Sequence, residues 1–257
     1  AGTADFLSVA YVNSEINGNT LDSNQIYGMD IDSDMIKLAQ LNMLLNGDGN
    51  SHIIKPDGSF GSLLYKFSNN PDKPIIKLDS SIDPNNWNDR FDDNTIKKFD
   101  VILTNPPFGQ NRAFNPNSKS KKSVAMNYST WNLHNNRKID QGVLFLENMV
   151  HLLKPNGRFG IVLSDSISSN SSHKKDREWL INHVRIVGIF DLPMNTFADT
   201  GVNTTIIIGY KPSKEYKAHI KNNYEVFAKT IKNVGYDVKT VNRTKEFDTN
   251  YRLNSYY

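Results

Sequence analysis

The apolar run FDVILT, residues 99–104, is followed directly by Asn105-Pro106-Pro107-Phe108. The run shows no alternation of polar and apolar residues, which predicts a strand buried on both faces of a parallel sheet. Neither proline has an N–H to donate to a neighbouring strand, so the strand must end at this turn. The boundary therefore favours an α/β fold in which the strand delivers a rigid, polar, aromatic-tipped turn to one edge of the sheet.

Strand and helix patterns alternate along the rest of the chain. Further strands are predicted at 25–30, 158–164, 185–192, 204–211 and 223–231, and helices at 1–12 (after a turn), 33–47, 142–153 and 174–184. This order predicts a mostly parallel sheet with helices on both faces. The short 191–203 connection predicts that the strands on either side of it form an antiparallel hairpin at an edge of the sheet. Residues 48–98 are expected to form short strands and loops, and residues 109–135 a loop.

Composition limits the function without fixing it. The 257 residues are 38% hydrophobic and 22% charged, as in ordinary globular proteins, and suffice for one large α/β domain. No apolar run is long enough to span a membrane, and the absence of Cys excludes disulfides and thiolate metal sites. A net charge of +3 permits a nucleic-acid partner without requiring one. We expect a cytoplasmic protein, with His134, His151 and His183 as isolated histidines and no metal site.

The Asn-Pro-Pro-Phe turn has chemistry suited to a planar amine. The side chain of Asn105 and the backbone of Pro106, whose φ is fixed, provide two carbonyl oxygens for the two N–H bonds of one –NH₂ group. Acceptors placed in this way favour a localised nitrogen lone pair and stabilise the positive charge that develops during attack on an electrophile. Phe108 offers a flat face on which a planar ring can stack.

Three other segments are candidates for holding a cofactor that contains a nucleoside. Asp30 ends a predicted strand, where an acid can accept hydrogen bonds from ribose hydroxyls, and Ile31 could pack on an adenine face. Alternatively, the aspartates of this segment only complement the dipole of the following helix. Asp57 could accept from an adenine amino group or simply shape an Asp-Gly turn. Gly2 and Thr3 form a weaker motif that permits close backbone approach.

Taken in order, the motifs AGTADFL, GMDID, PDGSF and ILTNPPFG resemble those of DNA adenine-N6 methyltransferases that use S-adenosylmethionine. The resemblance is strongest to the modification subunit of type I restriction–modification systems and covers roughly residues 1–238. The segments DQGVLFLENMVHLLKPNGRFGIVLSD, FADTGVNTTIIIGYK and NYEVFAKTIKNVGYD are also similar to that family. The resemblance implies a Rossmann-like, S-adenosylmethionine-dependent methyltransferase fold with seven strands, one of them antiparallel.

The same resemblance implies how the cofactor is held. It places Ala1, Gly2 and Thr3 at the methionine end of S-adenosylmethionine, Asp30 at the ribose and Asp57 at the adenine. The family's glycine-rich motif follows a first strand, so that strand is expected to lie upstream of residue 1. The sequence departs from related motifs by carrying Ala-Asp after Thr3 in place of Gly-Gly.

The resemblance also assigns the catalytic residues and the partners. Asn105, Pro106, Pro107 and Phe108 would form the catalytic motif, with Asn105 also bordering the cofactor, and the target adenine would be flipped out of the duplex. Expected partners are DNA, a specificity subunit that reads the target sequence and, where present, a restriction subunit. Residues 1–215 are expected to form the catalytic domain and residues 216–257 a C-terminal extension.

A basic cluster in the predicted 109–135 loop is a candidate DNA contact. The cluster contains Lys119, Lys121 and Lys122, which could bind phosphates near the flipped base. The contribution of such contacts to DNA affinity depends on salt concentration and not on base sequence. The alternative is a solvated loop without a partner.

Two other functions remain open at the level of sequence. An Asn-Pro-Pro-aromatic turn also suits a glutamine amide or a guanine amino group, as in release-factor and ribosomal RNA methyltransferases, although these more often carry Tyr at the position of Phe108. A degenerate subunit that binds DNA and transfers no methyl group is the second alternative.

Overall fold

A computed structural model describes residues 1–19, 21–78, 91, 94–108, 114–115, 118–135, 138–194, 196–197, 201–213, 215, 224–240 and 249–253. The chain divides into two compact units, Ala1–Lys97 and Lys98–Tyr257, which are described in turn. Among the described residues, every helix is too short or too polar to cross a membrane.

Among its described residues, the first unit contains two α-helices and two pairs of short strands. Its helices are α1 (Asp5–Ile16) and α2 (Ser33–Leu45), and its strands are β1 (Tyr27–Met29), β2 (His52–Ile54), β3 (Tyr65–Phe67) and β4 (Ile75–Lys77). Strands β1 and β2 pair in parallel, whereas β3 and β4 pair antiparallel. The predicted helix–strand order of this part of the chain is confirmed.

Helix α2 is capped at its N-terminus by Asp32, whose carboxylate accepts from the N–H groups of Asp34 and Met35. One stripe of the helix is buried, with Ala39 and Met43 fully enclosed beside α1 and the two parallel strands. The broader apolar face is exposed, with Leu38, Leu41 and Leu45 at 46%, 49% and 77%.

Among its described residues, the second unit contains a five-stranded sheet, a separate pair of antiparallel strands and five α-helices. Its strands are β5 (Phe99–Thr104), β6 (Leu153–Ser164), β7 (Arg185–Asp191), β8 (Thr204–Tyr210), β9 (Phe227–Thr230), β10 (Tyr236–Thr240) and β11 (Thr249–Leu253). Its helices are α3 (Lys119–Ala125), α4 (Thr130–Leu133), α5 (Gln141–Leu152), α6 (Asp165–Ser169) and α7 (Lys174–His183).

The sheet has the order β5-β6-β8-β7-β9, and β8 alone of these five strands runs against the others. The predicted antiparallel pairing of β7 with β8 is confirmed, but its predicted place at an edge is wrong. Strand β8 lies between β6 and β7, and β9 extends the sheet beyond β7. An internal position is possible because β8 is apolar throughout its centre (Ile206–Ile208) and can pair on both sides.

Strand β5 is not buried on both faces, contrary to the sequence prediction. Val101 is 55% exposed and Leu103 is 45% exposed, on one face of the strand. On the opposite face the neighbouring residues of β6, Phe159 and Ile161, are buried, and α5 packs against β6 there. The largely apolar run thus predicted the strand correctly. It did not show which face of the strand the helices of this unit cover.

Residues 118–133 contain two helices where a loop was predicted. Ser118 caps α3 by accepting from the N–H of Lys121, and Val124 and Ala125 anchor the end of that helix in the core. In α4, Trp131 is buried. The many Ser and Lys residues of this segment hid a short amphipathic pattern, in which only the last turn of α3 is apolar.

Candidate functional site

Two aspartates of the first unit lie at the same edge of a small parallel sheet. Asp30 follows β1 directly, and Asp57 lies three residues after β2. Because Met29 is in register with Ile54, the two strands end side by side. The sequence predicted both residues as cofactor ligands, and the parallel pairing brings their segments to one edge, where ligands bind in open α/β sheets.

The carboxylate of Asp30 organises the turn around it. Its Oδ2 accepts from the N–H of Gly2 at 2.8 Å and from the nitrogen of Ala1 at 3.1 Å, and its Oδ1 accepts from the N–H of Asp32 at 3.0 Å. Burial alone would raise the pKa of Asp30, but the hydrogen bonds from the N–H groups of Asp32 and Gly2, together with the nearby amino group of Ala1, outweigh it and lower the pKa. An ionised carboxylate accepts about four hydrogen bonds, so a further donor can be accommodated beside these three.

The N-terminal turn contacts Asp30 through its backbone. Gly2 has φ +55°, which glycine adopts without strain and which lets its N–H reach the carboxylate. The hydroxyl of Thr3 donates to Asp5 Oδ2 at 2.6 Å, and the carbonyl of Thr3 accepts from Asn42 at 2.8 Å. Asp5, which stands where related motifs have glycine, is therefore engaged by Thr3.

Ile31 presents an apolar surface next to Asp30. Its side chain is 51% exposed and lies over Gly61, where a Cβ atom would come within 2.8 Å of Ile31 Cγ2. Gly61 also has φ +45°, so both its conformation and the space above it favour glycine. Asp57 is exposed, in the turn before Gly58. Asp30, the exposed side chain of Ile31 and the exposed Asp57 thus all belong to the segments that follow the two parallel strands β1 and β2.

The second unit carries the Asn-Pro-Pro-Phe turn at the carboxyl end of β5. Asn105 is exposed, Pro106 is buried, and Pro107 and Phe108 are half-buried. The side-chain amide of Asn105 makes no hydrogen bond to any other residue that the structure describes, so its oxygen can accept one from a ligand. Because Pro106 is buried, the turn is held against the core, and the side chain of Asn105 remains in solvent.

A second aromatic residue approaches the turn. The ring of Phe197 lies 5.5 Å from that of Phe108, centroid to centroid, with an interplanar angle of 50°. Phe197 was not assigned a site role from the sequence because nearly 90 positions separate it from the turn. Its place in the FADTGV segment, which contributed to the family resemblance, was the available signal.

The three lysines predicted to contact DNA lie on helix α3. Lys119, Lys121 and Lys122 are all exposed on the surface of this helix. Their side chains project from a helix and not from the loop that the sequence suggested.

The predicted isolated histidines all have polar or aromatic neighbours. His134 Nε2 lies 2.9 Å from both carboxylate oxygens of Asp176, so the expectation that it is isolated is wrong. His151 Nε2 lies 3.3 Å from Glu147 Oε1. His183 hydrogen bonds to the carbonyl of Trp179 and stacks on its ring.

Comparison with known proteins decides the family. The model of the Eco57I restriction-modification methylase family matches residues 24–197, about two thirds of the chain. The chain belongs to this family. The match includes Asp30, Asp57 and the Asn105–Phe108 turn, and it confirms the predicted resemblance to restriction–modification methyltransferases.

Individual relatives of this methylase are distant in sequence. The chain is 23% identical to the type II methyltransferase M.BanIII of Aneurinibacillus aneurinilyticus over 195 residues, which cover 75% of this chain and 29% of that protein. A putative class I S-adenosylmethionine-dependent methyltransferase of Listeria monocytogenes has a TM-score of 0.61 at 18% identity, covering 90% of this chain and 56% of that one. A type I methyltransferase subunit from Streptococcus thermophilus has a TM-score of 0.54 at 22% identity, with coverage of 83% and 38%.

These similarities confirm the predicted fold class, that of S-adenosylmethionine-dependent methyltransferases. The predicted cofactor, S-adenosylmethionine, is the one named in the description of the Listeria protein. The chain spans less than a third of the length of M.BanIII and just over half that of the Listeria protein.

Proposed function

We propose that this methylase transfers a methyl group from S-adenosylmethionine to the exocyclic amino group of an adenine in DNA, with the base flipped out of the duplex. The observation that carries the proposal is the exposed Asn105 amide at the carboxyl end of β5, in an Asn-Pro-Pro-Phe turn of a restriction–modification methylase. A flipped base is required because the amino group is otherwise paired and stacked.

The first unit has the residues to hold the cofactor. Asp30 would accept from a ribose hydroxyl, Ile31 would cover one face of the adenine, and Asp57 would accept from the adenine amino group. Ala1, Gly2 and Thr3 would border the methionine end. The lowered pKa of Asp30 supports the first role, because an ionised carboxylate is the stronger acceptor. When bound, the cofactor supplies an electrophilic methyl group.

The turn of the second unit would activate the amine, and Asn105 would also border the cofactor. The Asn105 side-chain oxygen and the Pro106 carbonyl would accept hydrogen bonds from the two N–H groups of the target nitrogen. Its lone pair would then be free to bond to the methyl group as the bond between that group and the cofactor's sulfonium sulfur breaks and a neutral thioether leaves. These oxygens also stabilise positive charge on the nitrogen until it loses one proton to solvent. Pro107 keeps the turn rigid, so little reorganisation is needed during reaction.

Two rings would bind the flipped base. Phe108 offers its face for stacking, and Phe197, at 5.5 Å, extends the aromatic surface. Base–aromatic stacking contributes about 1–3 kcal/mol per base, which helps to offset the cost of removing the base from the duplex. Stacking tolerates any base, so the choice of adenine would rest on the acceptors at its amino group.

The remaining assignments concern the surroundings of this centre. Lys119, Lys121 and Lys122, exposed on α3, would bind backbone phosphates and increase affinity without reading sequence. The target sequence would be read by a specificity subunit, and a restriction subunit could share the complex.

We also propose a cytoplasmic location, a catalytic domain at 1–215 and an extension at 216–257. In that extension β9 accounts for part of the strand predicted at 223–231, whose first residue lies outside the described residues.

A methyl-transfer assay with competing acceptors tests the proposal. The protein, with any specificity subunit encoded beside it, receives S-adenosylmethionine with a labelled methyl group and is offered duplex DNA, ribosomal RNA and release factor separately. We expect label on DNA, recovered as N6-methyladenine after digestion to nucleosides. Label on RNA or on a glutamine would keep the chemistry and overturn the substrate. Absence of both transfer and cofactor binding would indicate a degenerate subunit.

A further inference from the structure

Two histidines converge on one buried carboxylate in the second unit. His134 follows α4, His173 precedes α7, and Asp176 lies in the first turn of α7. His134 Nε2 is 2.9 Å from both oxygens of Asp176, and His173 Nδ1 is 2.7 Å from its Oδ2. The donor atoms of all three side chains lie within 4.8 Å of one another. No local pattern revealed this cluster, because 39 positions separate the two histidines.

The cluster is closed on one side and open on the other. The side chain of Asp176 is 1% exposed, whereas those of His134 and His173 are 18% and 13% exposed. The carboxylate is therefore inside the protein, and the imidazoles form its boundary with solvent. A buried carboxylate requires compensation by positive charge or by several hydrogen bonds, and here the imidazoles occupy both of its oxygens.

The cationic side chains of the same turn make other contacts. Lys174 Nζ lies 3.8 Å from Glu178, and Arg177 donates at 2.8 Å to the carbonyl oxygens of Ile167 and Asn170. A cation placed between the imidazoles and the carboxylate would supply the compensating charge directly. Two imidazole nitrogens and one carboxylate oxygen form a common ligand set for Zn²⁺ and related ions.

We propose that His134, His173 and Asp176 bind a divalent transition-metal ion of the Zn²⁺ class, with a solvent-facing fourth position. Ligand atoms about 2.1 Å from a tetrahedral metal are separated by about 3.4 Å. The present separations from Asp176 are hydrogen-bond distances, so each side chain has to open by less than about an ångström when the metal replaces the bridging protons. Mg²⁺ and Ca²⁺ do not fit, because they prefer sites made of oxygen ligands.

The metal would link two segments that are far apart in sequence. One ligand follows α4 and the other two flank the start of α7, so coordination would hold these helices together. Binding to the folded state alone raises its stability. The site is independent of the proposed methyl transfer, since none of its residues belongs to the Asn105 turn or to the Asp30 surface.

Metal titration of the untagged protein tests the site. We expect one Zn²⁺ to bind per chain by calorimetry, Co²⁺ to give a visible ligand-field band that Zn²⁺ removes, and Zn²⁺, but not Mg²⁺, to raise the unfolding temperature. His134→Gln and His173→Gln should each weaken Zn²⁺ binding by about 100-fold or more. Both positions are partly exposed, so these variants can be checked for folding by circular dichroism before titration.

His183→Gln is the matched control. This histidine lies on the same helix, but it hydrogen bonds to the backbone of Trp179 and stacks on its ring. The control should keep the affinity of the unaltered protein. The proposal is overturned if Zn²⁺ neither binds nor raises the unfolding temperature, or if binding survives in the folded His134→Gln/His173→Gln double variant.

Discussion

Burial of Glu147 predicts an unusual pH dependence of stability. Its side chain is fully buried in α5 and accepts from the N–H of Ser129 at 2.7 Å, the hydroxyl of Ser129 at 3.1 Å and the N–H of Thr130 at 2.8 Å. Burial raises the pKa of Glu147 from 4.5 to about 6, although these hydrogen bonds act to lower it. The folded state therefore binds the proton more tightly than the unfolded state does.

The sign and size of the effect follow from these two pKa values. The stabilisation due to proton binding is fully present below pH 4.5, falls as the pH rises and is lost above pH 6. Over this window the contribution of Glu147 to the free energy of unfolding changes by about 2 kcal/mol. Asp30 and Asp176, whose pKa values are lowered, act in the opposite direction, since their contribution is lost as the pH falls. The effect must therefore be measured as a difference between variants.

Urea unfolding of the unaltered protein and Glu147→Gln, followed by tryptophan fluorescence, measures that difference. Trp131, buried next to Thr130, is a local probe. Glutamine cannot satisfy all the donors, so we expect the variant to be less stable at neutral pH by about 1–3 kcal/mol. Its deficit should widen by about 1.5 kcal/mol between pH 6.5 and pH 4.5. Glu178→Gln, at an exposed position, should follow the unaltered protein. A deficit that stays constant or narrows on acidification would refute the reasoning.

Three further outcomes are expected. Asp30→Ala should raise the dissociation constant for S-adenosylmethionine in a calorimetric titration, whereas Asp34→Ala, at an exposed position of α2, should not; equal values in both would remove Asp30 from the site. Phe197→Ala should weaken binding of the flipped base by about tenfold, read from 2-aminopurine fluorescence at the target position, and an unchanged signal would exclude its role. Gly209→Ala should lower stability by about 3 kcal/mol or more in urea, because the new Cβ would strike the carbonyl of Arg185; native-like stability would contradict this packing.

Local patterns predicted most elements of the fold. The strand–helix order around Asp30 and the Asn105 turn was correct because apolar periodicity and the proline stop are properties of neighbouring residues. The position of β8 between β6 and β7 was missed, since strand order depends on contacts across the whole sheet. The exposure of Val101 was missed for the same reason, as apolarity does not specify which face helices cover.

The candidate site divides in a similar way. Asp30, Asp57 and Asn105 could be proposed from the sequence because each ends or follows a strand, and ligands of α/β sheets bind beyond the carboxyl ends of strands. Phe197 and the cluster around Asp176 could not, because their partners are distant along the chain and meet only after folding. Helix α3 was not predicted because most of its residues are polar. Only its last turn is buried, and one turn is too short a pattern to recognise.

The central claim is that Asn105 activates the target nitrogen without holding the cofactor in place. The measurement is single-turnover methyl transfer to DNA by Asn105→Ala, paired with its dissociation constant for S-adenosylmethionine, with Asn132→Ala on the exposed side of α4 as control. We predict a loss in transfer rate of about 100-fold or more, cofactor affinity within a few-fold of the unaltered protein, and a normal control. Collapse of cofactor binding, or transfer at the unaltered rate, would contradict the account.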